Sequence, residues 1–342
     1  MSQREELYRE ALARIEAEAR AALSGGGDPY EGGNGTGEGD GWDDSGHDHY
    51  EEDYPIHVCT PKSVPKHLLV EAAMKAVEIN PVNAPLMGPV DAVARNFFSD
   101  PLRIAVVTAK YWGPQPRRLT VSFLESTPAD LRSRIVEHMN AWSRRGGVRF
   151  VETRDTGQVR ISREGEGYWS YLGTDILLRP RHLPTMNLQG FTMRTPESEY
   201  RRVVRHEAGH TLGFPHEHMR RDLVARIDKA KAYAYFARTQ GWSRQMVDAQ
   251  VLTPLDERSI MSTPADQTSI MCYQLPGSIT RDGRPIVGGL DINDTDHAFT
   301  ARIYPQPAPG RMQIFTEDDG TRDAAAAAPA PADEWDQAFQ LA

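Results

Sequence analysis

Residues 206 to 216 read HEAGHTLGFPH and match the pattern H-E-x-x-H-x-x-G-x-x-H. Residues four apart lie on one face of a helix, so His206 and His210 can point both imidazoles at one metal ion. Glycine tolerates positive φ, so Gly213 can end the helix in a sharp turn that brings round His216 as a third ligand. Three imidazoles and one open position are typical of catalytic zinc, whereas structural zinc is usually closed by four ligands and rich in cysteine.

Glu207 stands beside the first histidine and is placed to take a proton from a water in the open position of the metal. A chance match is a poor explanation, because Gly213 and His216 extend the shorter pattern H-E-x-x-H. The alternative interpretation is a polar helix with solvated histidines. We therefore predict one catalytic Zn²⁺ held by His206, His210 and His216.

The composition indicates that only part of the 342-residue chain is packed, since hydrophobic residues make up 39% of it. Residues 28–53 contain ten acidic residues and no lysine or arginine, whereas the whole chain has a formal net charge of −9. The acidity therefore belongs to one segment, and no basic face for nucleic acid is indicated. We predict an amphipathic helix over 1–23, a disordered acidic linker over 24–56, a pro-like segment over 57–102, a catalytic domain over 103–306 and a disordered Ala/Pro-rich tail over 307–342.

The chain has no run of eighteen apolar residues, so no membrane span is expected. The N-terminus carries acidic residues throughout, unlike a signal peptide, which favours a cytoplasmic location or export by a leaderless route. Only Cys59 and Cys272 are present. They exclude a disulfide framework and permit one bridge.

The periodicity predicts an α+β domain in which a mixed sheet is backed by helices. Thr127 is a candidate N-cap for a helix that runs to about Trp142, and the metal helix is expected to start near Pro196 and Glu197. The other predicted helices cover residues 222–240 and 291–304. The predicted strands cover residues 103–109, 118–125, 148–152, 158–162 and 185–188.

Four separated motifs carry a resemblance to a known family. They are HEAGHTLGFPHEH, with Glu217 directly after the third histidine, GYWSYLG at 167–173, TMNL at 185–188 and SIMCY at 269–273. The sequence thereby resembles the metzincin metallopeptidases, and within them the astacin-like peptidases, including bacterial members, over about residues 103–305. The resemblance implies a mostly parallel twisted sheet, an active-site helix and a smaller irregular C-terminal subdomain.

The resemblance also implies roles for individual residues. His206, His210 and His216 would bind zinc, and Glu207 would act as general base and later as general acid. Met271 would form the methionine turn beneath the metal, and Tyr273 would be a fifth ligand or switch residue. Independently of the family, a phenol beside the metal could donate a hydrogen bond to the oxyanion of a tetrahedral intermediate. The competing turn at Met261 is followed by Ser262 and Thr263 and offers no tyrosine.

The sequence departs from the family in two respects. Astacin-like enzymes are typically secreted, disulfide-stabilised zymogens, and this chain has neither a recognisable signal peptide nor the usual cysteines. In the family, Glu217 pairs with the new N-terminus of the cut enzyme, whereas here it could equally be exposed. Cys59 lies upstream of the peptidase region, where its thiolate could occupy the fourth position on zinc and keep the enzyme latent. The alternatives are a bridge to Cys272 and two inert thiols.

These features predict a zinc-dependent endopeptidase that acts on protein or peptide substrates, with an extended substrate paired along the edge of the sheet. Two other hypotheses remain open. One is a hydrolase that uses the same site on a non-protein amide, such as peptidoglycan or a small acyl-amide. The other is a zinc-bearing binding or effector module with little turnover, against which an intact Glu207 argues.

Overall fold

The computed structural model describes residue 59 and residues 61–84, 108–255 and 264–307. The predicted helix over 1–23, the predicted linker over 24–56 and the predicted tail beyond residue 307 lie outside these residues. The predicted strand over 103–109 also lies outside them, except for residues 108 and 109, which are not in a strand. In the described part of the chain, no helix is long and apolar enough to cross a membrane.

One five-stranded sheet forms the centre of the structure. Its strands are β1 (Arg117–Phe123), β2 (Val148–Glu152), β3 (Val159–Ser162), β4 (Tyr168–Ser170) and β5 (Met186–Leu188). Their order is β2-β1-β3-β5-β4. The first four in this order are parallel, and β4 pairs antiparallel with β5 at the edge. This mixed, mostly parallel sheet with helices confirms the predicted α+β class.

The crossover between β1 and β2 is the helix α2 (Ala129–Met139), because parallel neighbours need a long connection. Leu131, Ile135 and Met139 bury its apolar face. The predicted N-cap at Thr127 is wrong. The Thr127 hydroxyl donates a hydrogen bond to the carbonyl oxygen of Glu125 at 3.0 Å, and the N-cap position falls on Pro128, which makes no side-chain cap.

The active-site helix has three continuous parts. It begins with α3 (Glu197–Glu199), widens into a π turn over Tyr200–Val204 and ends with α4 (Arg205–Thr211). Tyr200, Val204 and Ala208 are fully buried on its inner side. A π turn inside a helix commonly marks a functional site, and here it directly precedes the first histidine.

The region after the active-site helix contains shorter elements. The predicted helix over 222–240 is two helices, α5 (Arg221–Val224) and α6 (Lys229–Gln240). They separate because Ile227 forms a β-bridge with Thr280 and the Asp228 side chain caps α6. The helix α7 (Arg244–Val247), with its π turn over Asp248–Leu252, was not predicted from the sequence. The last helix, α8 (Asp294–Ile303), begins with a capping box between Asn293 and Asp296.

The segment upstream of the sheet packs against the rest of the described chain. Its helix α1 (Leu69–Ile79) buries Ala72, Ala73, Ala76 and Val77. The side chain of Asn83 is buried and bonds the backbone of Tyr111 twice, accepting from its nitrogen at 2.9 Å and donating to its oxygen at 2.8 Å. One asparagine thus fastens the end of this segment to the start of the main domain. Short 3₁₀ turns lie at Lys66–Leu68, Pro81–Asn83, Asn140–Arg144, Gly173–Leu177, Glu217–Met219 and Gly277–Ile279.

Candidate active site

The helix α4 and the turn that follows it bring three histidines together. His206 and His210 are one helical turn apart, and their ring centroids are 4.7 Å apart. The chain then reverses at Gly213, whose φ is +90°. A Cβ at this glycine would lie 2.9 Å from the carbonyl oxygen of Lys110, so both the backbone angle and the available space require glycine. Beyond the turn, His216 faces the other two histidines and is buried with them.

The inward nitrogens of these histidines have the spacing of a metal site. The Nε2 atom of His216 lies 3.3 Å from Nε2 of His206 and 3.1 Å from Nε2 of His210. Three nitrogens at the corners of a tetrahedral zinc site are about 3.3 Å apart, because each zinc–nitrogen bond is about 2.0–2.1 Å. The donor set therefore fits one zinc ion.

The outward nitrogens of two of these rings are fixed by backbone carbonyls. His206 Nδ1 lies 2.6 Å from the carbonyl oxygen of Ile270, and His210 Nδ1 lies 2.8 Å from that of Phe214. Each Nδ1 is then the protonated nitrogen, and each Nε2 keeps its lone pair for the metal. Burial also lowers the pKa of all three histidines, that of His206 to about 4, so the rings are neutral ligands.

Glu207 lies beside the ligands and is almost completely buried. Burial raises the pKa of its carboxyl to about 8, although a hydrogen bond with the Cys59 side chain opposes the shift. Its Oε2 atom has no hydrogen-bond partner among the described residues. In its ionised form, this carboxyl can accept a proton through its free oxygen from a water molecule that attacks beside the metal.

Met271 lies directly beneath the active-site helix. A Cβ added to Gly209 would overlap the sulfur of Met271 and would lie 3.0 Å from a ring carbon of Trp142. The Met271 carbonyl oxygen also accepts a hydrogen bond from the Glu217 nitrogen at 2.8 Å, directly after the third histidine. The competing residue Met261 lies outside the described residues.

Tyr273 packs against the histidines with its phenol ring. Its ring centroid is 4.2 Å from that of His216 and 4.1 Å from that of His218, and it stacks on His218 at an interplanar angle of 16°. His218 is held in turn by the carbonyl oxygen of Gln250, 2.9 Å from its Nε2. Sequence reasoning missed His218, because its spacing to the metal ligands matches no helical turn and its partner lies on another element.

Cys59 lies at the same centre, although it is far from the histidines in sequence. Its sulfur and one nitrogen from each of His206, His210 and His216 all lie within 4.8 Å of one another, and all four residues are buried. Both cysteines are free thiols, so the alternative of a Cys59–Cys272 bridge is not observed. The remaining alternatives for Cys59 are a metal ligand and an inert thiol.

A small cleft opens beside the methionine turn, and Met271 itself lines part of it. Glu217, Asp266, Asp296 and Arg220 are among the residues of its polar part, and Tyr111 lines its apolar part. Glu217 is half-buried, and burial raises the pKa of its carboxyl to about 7. It is therefore neither fully exposed nor part of the metal centre.

Comparisons with known proteins agree with this geometry. The profile of the Astacin peptidase family matches residues 106–281, which is more than half of the chain. Zinc metalloproteinase nas-27 of Caenorhabditis elegans is 35% identical over 109 residues, which are 31% of this chain and 24% of that protein. The match thus spans about a quarter of the length of that relative.

A solved structure of myroilysin is similar in fold. It is 31% identical, with a TM-score of 0.55, and the match covers 59% of this chain and 98% of that one. The profile match and the donor set point to the same conclusion. The chain belongs to the astacin family of peptidases, and its three buried histidines have the donor set and spacing that a zinc ion requires.

Proposed function

We propose that this chain is a zinc-dependent endopeptidase that is held latent by its own Cys59. The observation that carries the peptidase function is the arrangement of three neutral imidazoles, with Nε2 atoms 3.1 and 3.3 Å apart, beside the buried carboxyl of Glu207. The zinc ion would lower the pKa of a bound water and polarise the carbonyl group of the substrate. An intact general base distinguishes this site from a binding module, which needs none.

Glu207 would transfer the proton, and Tyr273 would stabilise the oxyanion. Glu207 takes a proton from the attacking water and delivers it to the leaving amine, so that one carboxyl serves as base and then as acid. Tyr273 has a buried hydroxyl that bonds to no described residue, and its ring lies against His216. This phenol can donate a hydrogen bond to the oxyanion that forms when the peptide carbonyl is attacked.

The latency proposal rests on the place of Cys59. A thiolate is a good zinc ligand, and a fourth protein ligand would exclude the attacking water. The same segment also blocks the edge of the sheet. Cys59 and Tyr168 form a parallel β-bridge, and the Lys62 nitrogen donates to the carbonyl oxygen of Ser170 at 3.0 Å. An extended substrate would add to this same edge.

Cleavage between this segment and Thr108 would release the inhibitory contact and create a new N-terminus. The cleft beside Glu217 is suited to receive it, because its three carboxyl groups outnumber its one guanidinium, that of Arg220. It is also lined by Tyr111, close to the start of the cut chain. The resemblance to the family supports this pairing. Glu217 would then hold an ammonium group one residue from the third histidine.

The full chain with Cys59→Ala provides the test of the peptidase function. It should digest casein and peptide libraries when zinc is bound, lose this activity with a chelator and recover it when zinc is returned. Adding Glu207→Gln should keep bound zinc but lower turnover by about 10²- to 10⁴-fold, the usual contribution of a general base. Adding His210→Ala should lower both zinc content and turnover.

Two outcomes would decide against the proposal. Undiminished proteolysis by the Glu207→Gln protein would remove the proposed base. Hydrolysis of peptidoglycan or small acyl-amides, with no cleavage of any peptide in the library, would instead favour the hydrolase of non-protein amides.

A further inference from the structure

The segment that carries Cys59 places a lysine on an aromatic ring beside the sheet edge. The Nζ atom of Lys62 lies 4.3 Å from the centroid of the Trp169 ring. The backbone fixes this position, because Lys62 forms a parallel β-bridge with Tyr171 and its nitrogen donates to Ser170. The main chain at Lys62 is therefore paired with the edge of the sheet like an added strand. An extended peptide bound to the same edge would have the same backbone geometry.

The indole of Trp169 is held in a fixed orientation. Its Nε1 atom donates a hydrogen bond to the carbonyl oxygen of Glu166 at 3.2 Å. The ring meets Tyr171 edge-to-face, with centroids 6.1 Å apart and an interplanar angle of 82°. Only 7% of the Trp169 surface is exposed when Lys62 covers it. A fixed, largely dehydrated indole face attracts a cation more strongly than an exposed one.

We propose that the face of Trp169 is a substrate subsite for a basic side chain and that Lys62 occupies it as a tethered mimic. The inference rests on the proposed function, in which the segment lies where substrate lies. Lys62 is three positions after Cys59, whose sulfur lies at the metal centre. The subsite therefore accepts lysine or arginine about three residues from the scissile bond, at a distance of about 10 Å along an extended chain.

The side of the scissile bond is decided by the direction of the bound peptide. A substrate that is parallel to the edge strand, as the segment is, places the basic residue on the C-terminal side of the cleaved bond. An antiparallel substrate places it on the N-terminal side. The contact between a side chain and the indole face is the same in both cases. The experiment therefore places the basic residue on both sides.

The experiment uses the full chain with Cys59→Ala and Lys62→Ala. These changes remove the sulfur from the metal centre and the lysine side chain from the Trp169 face, so that a substrate peptide competes only with the backbone of the segment for the sheet edge. Peptides of otherwise identical sequence carry either lysine or methionine at each of four positions on either side of the cleaved bond. Methionine matches the length of the lysine stem but has no charge. At one position about three residues from the bond, lysine should raise kcat/KM about threefold or more over methionine, the range expected for a cation on an aromatic face.

Substitution of the ring tests whether it causes the preference. In the same background, Trp169→Leu should reduce the lysine-to-methionine ratio to about one, and Trp169→Phe should give an intermediate ratio, because phenylalanine binds cations less well than tryptophan. Trp242→Leu provides a matched control, because that indole stacks on Phe236 of α6. It should leave the ratio unchanged.

The subsite is refuted if no position favours lysine, or if Trp169→Phe and Trp169→Leu both leave the ratio at its original value. If the zinc-loaded protein cleaves neither set of peptides, the proposed peptidase function has failed instead. Binding of the lysine and methionine peptides to the Cys59→Ala, Lys62→Ala protein with Glu207→Gln added gives a second measure of the ratio that does not depend on turnover.

Discussion

The indole Nε1 of Trp112 donates a hydrogen bond to the carbonyl oxygen of Thr211 at 2.8 Å, at the end of the active-site helix. The next carbonyl oxygen, that of Leu212, accepts a hydrogen bond from the hydroxyl of Tyr304. This hydroxyl in turn accepts a hydrogen bond from the backbone nitrogen of Trp112 at 3.2 Å. Two aromatic residues far apart in sequence therefore hold the turn at Gly213. The same turn carries the Phe214 carbonyl that orients His210.

We expect Tyr304→Phe to weaken zinc binding by about tenfold, because loss of an outer contact that orients metal ligands typically costs 10- to 100-fold in affinity. Competition with a chelator measures this affinity without reference to activity. Tyr233→Phe is the matched control, since it also removes one hydroxyl group. That hydroxyl donates a hydrogen bond to Asp248 at 2.7 Å and links α6 to the π turn after α7. Equal zinc affinities in the two variants would show that the contact at Leu212 does not position the ligands.

Removing the sulfur of Cys59 should activate the uncut chain. Because a tethered ligand competes with water at high effective concentration, Cys59→Ala should raise peptidase activity per bound zinc on the order of tenfold or more. The activities of the full-length variant and the wild type are compared after their zinc contents have been measured. Cys272→Ala is the control, since that residue is also a buried free thiol but is not part of the metal-ligand group. Equal activity in all three proteins would leave Cys59 as an inert thiol.

Gly209→Ala should destabilise the fold by about 1–3 kcal/mol, because the added methyl group overpacks the space between the active-site helix and Met271. Truncation of Met271 to alanine removes the sulfur that the added methyl group would overlap. The destabilisations of Gly209→Ala and Met271→Ala should therefore not add in the double variant, which denaturant unfolding can measure. Fully additive values would mean that Met271 does not restrict position 209.

His138 should contribute to acid sensitivity. Burial lowers its pKa below 6.5, and Arg205 and Arg134 lower the pKa further, whereas Glu197 and Glu137 oppose the shift. Its Nδ1 accepts from Arg205 Nε at 3.4 Å, which requires a neutral ring. Since the folded pKa lies below the unfolded one, this stability is complete above pH 6.5 and is lost as the pH falls towards the folded pKa.

The measurement is the Tm of the wild type and of His138→Gln at about pH 7.5 and about pH 5, on either side of the ordinary histidine pKa. Glutamine keeps an acceptor and a donor but does not titrate in this range. The wild type should lose more stability between the two pH values than the variant does. An equal loss in both proteins would assign the acid sensitivity to other groups.

The sequence by itself determined the local chemistry of this protein. Helical spacing brought His206 and His210 together, and a glycine at position 213 indicated the turn to His216, because such features depend only on neighbouring residues. Alternation of apolar residues predicted the central strands and the α+β class for the same reason. The local signals failed at Thr127, where a competing hydrogen bond removed the cap, and near Asp228, where a bridge to Thr280 interrupted the predicted helix.

Only the tertiary structure decided which distant residues meet the site. Nothing in the spacing of Trp112 or Tyr304 relates them to the histidines, and the sequence left a zinc-ligand role for Cys59 as one of three alternatives. The positions of these residues depend on the pairing of the sheet edge and on the packing of α8. The stacking of His218 on Tyr273 has the same origin. Local periodicity follows from backbone geometry, whereas these long-range contacts exist only after the whole domain has packed.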